Sequence, residues 1–250
     1  MNRYFLEVAY KGSSYAGFQV QANAVTIQSE IEKALKVLNY DIQLTGSSRT
    51  DAGVHALQNY FHFDLPGKFD TSRVYNLNAI LSSDICVKGI YSMNENAHSR
   101  FDAIAREYCY TVYNFKDPFL TDTGYYFPFR IDIELLRCAA ETVKGTFDFT
   151  SFSKRNTQVN NFICTIERSQ WEYEGHVLRY YVRGNRFLRG MVRGMVGTML
   201  RVGRGQISIE QFKNILEARD CSKADFSVPG KGLRLERVVY PEGYFEKTSE

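Results

Sequence analysis

The chain has 250 residues, 44% of them apolar and 24% charged, with a formal net charge of +3. That is enough for one large domain or two modest ones with a real core. No apolar run reaches the roughly 18 residues that a membrane-spanning helix needs, and Met1–Glu7 breaks its apolar run at Glu7, which reads as no signal peptide.

Tyr4, Leu6, Val8 and Tyr10 alternate as a strand does, and Gly12-Ser13-Ser14 breaks it. Thr26 is placed to cap a helix whose apolar face is Ile27, Ile31, Ala34, Leu35 and Leu38. After Gln43-Leu44 and a Gly/Ser loop, a strand runs through Asn59–Phe63. A helix around Tyr75–Leu81 and a strand at Ile85–Tyr91 complete a βαββαβ-like half. The second half opens with a strand from Glu107 to Asn114, with Tyr108, Tyr110 and Val112 on one face and Cys109, Thr111 and Tyr113 on the other. Ile133–Val143 reads as a helix. Cys164–Tyr173 and Val177–Arg183 read as a hairpin around Glu174-Gly175-His176. A helix follows over Phe187–Val202, and Ser208 and Gln211 form a capping box for the next, through Ile209, Phe212, Ile215 and Leu216. Leu233–Tyr240 is a last strand before Pro241 and the polar tail Glu246–Glu250. The interleaving predicts an α+β fold of two related subdomains, residues 1–104 and 105–250. They would share a mixed, mostly antiparallel central sheet flanked by helices, with a cleft between them.

Cys86, Cys109, Cys138, Cys164 and Cys221 are odd in number and form no CxxC pair; His55, His62, His98 and His176 lack ligand spacing. Both facts argue against a disulfide framework or a zinc site and predict core thiols in a reducing cytoplasm. Charge is unevenly spread. Residues 1–104 carry a net −1 and residues 105–250 a net +4. Between residues 176 and 209 lie seven arginines (Arg179, Arg183, Arg186, Arg189, Arg193, Arg201, Arg204) and no Asp or Glu. Arginine's planar fork matches phosphate oxygens, so this stretch favours nucleic acid over a solvated helix face, which usually mixes signs.

The most distinctive segment is Gly46-Ser47-Ser48-Arg49-Thr50-Asp51-Ala52-Gly53-Val54-His55-Ala56. Its small residues allow close approach around Asp51, a carboxylate that can act as nucleophile or general acid/base. Arg49, two residues away, can reach phosphate or hold the carboxylate ionised. On local chemistry alone an Asx turn explains Asp51 better than catalysis does, and the segment lacks GxxxxGK[ST] and GxGxxG.

Arg49–Ala56 resembles the signature of the TruA family of tRNA pseudouridine synthases. Further landmarks follow in that family's order: Tyr10–Gln19, Thr26-Ile27-Gln28, Arg100–Ala103, Arg106–Tyr110, Gly145–Phe152, Phe187–Arg193, Val196-Gly197, Gly232–Leu235 and Val238–Pro241. The resemblance spans about residues 3–241. It implies that Asp51 is the catalytic aspartate, that Tyr108 stacks on the target uracil, that Arg193 pairs with the aspartate, and that Arg49 reaches into the RNA to displace the base. Arg189, one turn before Arg193, would share its helix face. Three positions depart from the family: Ser48 where Gly is usual, Phe18 where Trp is usual, and Phe147 where His is frequent.

The reaction so implied breaks the uridine N1–C1′ bond and joins C5 to C1′. No atoms are added, so no cofactor or metal is expected. An aspartate has three routes: attack on C1′, addition to the base, or removal of a ribose proton. The base must first leave the stack, and an aromatic ring then holds it by its face. The resemblance further implies action on the tRNA anticodon stem-loop at positions 38, 39 and 40, by a homodimer with tRNA spanning both subunits. The competing readings are another RNA position, a catalytically silent RNA-binding module on the same fold, and a nucleotide hydrolase using the loop at 46–53.

Overall fold

The computed structural model describes residues 1–155 and 159–245; the polar tail Glu246–Glu250 lies outside the described residues. The chain divides into two compact units, one of residues 1–104 with 235–250 and one of residues 105–234. Residues 235–245 thus lie with the first unit rather than with 105–234. Ile104 N–H donates to the Val239 carbonyl (2.8 Å) and the Tyr240 hydroxyl to the Ser99 carbonyl (2.5 Å), which ties them there.

The first unit runs β1 (Asn2–Tyr10), α1 (Ile27–Val37), β2 (Thr45–Gly46), β3 (His55–Leu65), α2 (Val74–Ile80) and β4 (Ile85–Met93). Strand order is β4-β1-β3, with β2 antiparallel to β3 and a late strand, Leu233–Val239, beside β3. Thr26 caps α1 as expected. Its hydroxyl accepts from Ser29 N–H (3.1 Å) while the Ser29 hydroxyl accepts from Thr26 N–H (3.0 Å), closing a capping box. The alternation read in β1 is only half the story, because Tyr4 through Val8 are all buried. Tyr4, Leu6 and Val8 share a face with Phe63, Phe61 and Asn59 of β3. Phe5 and Glu7 point the other way, where Phe5 meets Tyr240, Tyr244 and Phe245 of the C-terminal segment. That segment covers the second face at Phe5, which is why β1 is buried on both sides there.

The second unit runs β5 (Ala105–Tyr113), β6 (Tyr125–Tyr126), α3 (Ile133–Glu141), β7 (Gly145–Asp148), β8 (Ile163–Glu174), β9 (Val177–Gly184), α4 (Met191–Gly203) and α5 (Ile209–Glu217); β10 (Leu233–Val239) is the late strand already met. Strand order is β5-β9-β8-β7, all antiparallel, with β6 parallel to β5. The fold is therefore α+β, mixed and mostly antiparallel. Trp171 of β8 and Tyr180 of β9 lie opposite each other, fully buried. The indole N–H donates to the Met199 sulfur of α4 (3.4 Å), which seats that helix on the sheet. The Ser208–Gln211 capping box forms as predicted.

Two expectations are corrected. The helix read from Phe187 starts at Met191, because Gly190 takes φ 72°, a left-handed conformation that ends any helix reaching it. Arg189 therefore sits outside α4 and shares no helix face with Arg193. The cysteines are all free thiols, yet only Cys109 and Cys164 are buried, while Cys86 and Cys138 are exposed. Cys86 falls on the outward phase of β4, between buried Ile85 and Val87. Among the described residues, no helix is long and apolar enough to cross a membrane.

Candidate active site

Asp51 lies in the loop between β2 and β3, and the residues around it are clamped. Thr50, immediately before it, is buried, and its hydroxyl meets that of Tyr10 at the end of β1 (2.8 Å). The Tyr10 oxygen also accepts from the buried Asn59 amide (3.1 Å). The same amide donates to the Ser48 carbonyl (2.8 Å). Phe18 N–H donates to the Thr50 carbonyl (3.1 Å), and Val54 N–H closes a turn on the Asp51 carbonyl (3.1 Å). Gly12 allows the approach from below: a Cβ there would sit 2.0 Å from the Val54 oxygen. Gly12 N–H donates to His55 Nδ1 (3.1 Å), which places the ring proton of this buried histidine on Nε2 and commits Nδ1 to the backbone. The side chain one would first suspect as a dyad partner is thus a strut. Above this base, Asp51 is half-buried and Arg49 and Ala52 are exposed. A loop held this way presents a carboxylate in fixed position with little ordering left to do.

Tyr108 and Arg193 belong to the second unit. Tyr108, on β5 opposite Val182, is 9% exposed, with its ring edge against Phe187 (5.0 Å, 79°). Arg193 is the one residue of Met191–Leu200 that is not buried. Its Nε donates to the Val228 carbonyl (2.9 Å) and its Nη2 approaches that of Phe226 (3.5 Å), which fixes the plane of the guanidinium. The structure thus places Arg49 and Asp51 on one loop, and Tyr108 and Arg193 on a strand and a helix of the other unit.

The arginine stretch is not the uniform basic strip the sequence suggests. Acids from outside the window reach it. Arg183 pairs with Glu107 (2.6 Å) and Glu167 (2.7 Å), and Arg179 pairs with Glu174. Arg204 lies over the Phe129 ring at 3.9 Å. Arg189 is exposed. Among the described residues, no group of three or more His, Cys, Asp or Glu is placed to hold a metal ion.

Comparison with known proteins gives the family. A family model described as tRNA pseudouridine synthase matches residues 139–241. The tRNA pseudouridine synthase A of Parabacteroides distasonis is 42% identical over 248 residues, covering 98% of each chain. That of Bacteroides thetaiotaomicron is 42% identical over 255 residues, with 100% of this chain and 95% of that one covered. That of Bacillus subtilis is 40% identical over 239 residues, with 93% and 97% covered. The chain belongs to the tRNA pseudouridine synthase A family. It is an isomerase of pseudouridine-synthase type, and the clamp around residues 48–55 is part of how this family member is built. Tyr10, Thr50 and Asn59 are site residues that carry no role in the sequence reading. The signal available was that Tyr10 opens the Tyr10–Gln19 landmark and Thr50 lies inside Arg49–Ala56; the register that sets Tyr10 against Ala56 comes from the structure.

Proposed function

We propose that the protein isomerises uridine to pseudouridine in the tRNA anticodon stem-loop, at positions 38, 39 and 40, with Asp51 as the catalytic carboxylate. The observation that carries this is the clamped loop: Tyr10, Asn59 and Phe18 hold residues 48 and 50 in place while Asp51 stays half-exposed. Tyr108 takes the flipped uracil by its face, a contact worth about 1–3 kcal/mol. Arg193 takes the part that resemblance to the family gives it, partner of the catalytic aspartate. Arg49, exposed two residues before the aspartate, enters the RNA as the base leaves the stack. Residues 1–104 with 235–245, carrying the Asp loop, and 105–234, carrying Tyr108 and the arginines, act as the two subdomains. The enzyme works in the cytoplasm as a homodimer without cofactor or metal. Resemblance to the family supports those last assignments.

Formation of the C5–C1′ bond expels the C5 hydrogen, so a tRNA transcript tritiated at uracil C5 should release tritium. Asp51→Ala should abolish release while binding of the RNA stays within about twofold. Sequencing the product locates the uridines used. Absence of release from any tRNA, or release undiminished in Asp51→Ala, would sink the assignment.

A further inference from the structure

Beside the Asp51 loop, within the first unit, lies a hollow of 210 Å³ whose wall, apart from Arg49 and Phe18, takes no part in the roles above. Its wall includes Phe18, Leu44, Arg49, His98, Arg100 and Phe101, and no Asp or Glu lines it. The volume equals about seven waters, the size of one heterocyclic ring rather than of a helix. Phe101 stands at its rim, 72% exposed, with the Arg100 guanidinium 5.6 Å from its ring centre.

That platform is built, not incidental. The Phe101 ring leans on His98 (4.2 Å, 36°). His98 Nδ1 accepts the N–H groups of both Arg100 (3.1 Å) and Phe101 (3.3 Å), so the turn is wound on the imidazole. The Asp102 carboxylate accepts from His98 N–H (2.8 Å) and from the Tyr244 hydroxyl (2.5 Å), and Asp102 N–H returns to the His98 carbonyl (3.1 Å). Burial, and then Arg3 nearby, make His98 harder to protonate, so the positive charge of the wall is that of its arginines. An exposed aromatic held rigid beside a cation, over a ring-sized hollow free of acids, suits a π-face carrying a phosphate.

We propose that this hollow holds an unstacked nucleotide of the RNA substrate other than the target uridine, its base on Phe101 and its phosphate between Arg49 and Arg100. This rests on the RNA-isomerase reading and deepens it. A second extruded nucleotide gripped on the Asp-loop side would fix the register of the stem-loop against Asp51, and so bear on which uridine is presented.

The test uses the full chain and an anticodon stem-loop carrying 5-iodouridine singly at each loop position. Irradiation should crosslink one non-target position to Phe101, mapped by mass spectrometry. Phe101→Leu should lose that adduct and weaken RNA binding roughly five- to a hundredfold, and Phe101→Trp should retain both. Arg100→Gln should reduce the slope of log Kd against log salt by about one. Melting temperatures check that the variants fold, as substitutions at exposed positions should. No crosslink to Phe101 at any position, or Phe101→Leu binding within twofold of wild type, overturns the proposal. So does competition by adenosine monophosphate that depends on Phe101 with no RNA adduct, which would give the hollow to a free nucleotide. Tritium release by the wild type separates the outcomes: if it persists, only this inference falls; if it is absent, the isomerase reading falls first.

Discussion

Tyr10→Phe removes one oxygen and tests whether the clamp serves catalysis. The ring stays, so its packing 5.9 Å from Phe18 is kept. Lost are the hydrogen bonds to the Thr50 hydroxyl (2.8 Å) and from the Asn59 amide (3.1 Å), both among buried groups. Each such bond contributes a net of about 1 kcal/mol, and the stranded donor on Asn59 adds a further penalty of similar size. Asn59 keeps its bond to the Ser48 carbonyl, so the sum is about 2–3 kcal/mol. For a chain of this length that lowers the melting temperature by about 4–12 °C. The larger effect should fall on turnover. Thr50 adjoins Asp51, and misplacing a reacting group by about 1 Å can cost a hundredfold. Single-turnover tritium release, measured where the variant is fully folded, should therefore drop about ten- to a hundredfold with RNA affinity unchanged. Thr50→Ser, which keeps a hydroxyl at that site, should stay close to wild type. A Tyr10→Phe enzyme that melts several degrees lower yet turns over within twofold of wild type would show the network to be structural only. One that does neither would remove it from the account.

The Ser48 hydroxyl is buried with no hydrogen-bond partner among the described residues, so Ser48→Ala should raise the melting temperature by about 2–4 °C and leave activity unchanged; a lower melting temperature refutes the point. His62 is held neutral, its pKa lowered to about 4 by burial, then by His98 and Arg3. The unfolded chain therefore binds the extra proton first. Stability is complete above pH 6.5 and falls as pH drops toward 4, by on the order of 2–3 kcal/mol. His62→Gln should flatten denaturation curves in that window, and an unaltered pH profile would count against it. Arg193→Lys loses the fork that engages two carbonyls. Turnover should fall at least tenfold with Kd within twofold, whereas an equal loss of affinity would make Arg193 an RNA contact instead.

Much of the fold was legible because its signals are local. Thr26 with Ser29 and Ser208 with Gln211 announce their helices through side chains three residues apart. Strand β1 was recognised but not its second buried face, since what covers Phe5 comes from Tyr240–Phe245, far along the chain. The start of α4 was misread because the apolar pattern runs through Gly190, and only its positive φ marks the break. Nor could the window around Arg179 and Arg183 reveal its ion pairs, because all three acids come from other strands, Glu107 from β5 and Glu167 and Glu174 from β8.

The same distinction explains which site residues were visible and which departures from the family pattern the site absorbs. Phe18 and Ser48 replace the residues usual in the family, yet each supports the Asp51 loop through its backbone: Phe18 N–H holds the Thr50 carbonyl, and the Ser48 carbonyl receives the Asn59 amide. A main-chain bond tolerates any side chain that keeps the local conformation and fits the space. Phe18 fits by stacking on Phe61 at 4.3 Å, and Ser48 leaves one hydroxyl unsatisfied. Tyr10, Thr50 and Asn59 support the loop through side-chain atoms, where no other group of the same size offers the same donors and acceptors. Substitution should therefore be cheap at positions 18 and 48 and costly at 10, 50 and 59, although a reading of Arg49–Ala56 alone would rank Ser48, next to the signature, above a tyrosine nearly forty residues earlier.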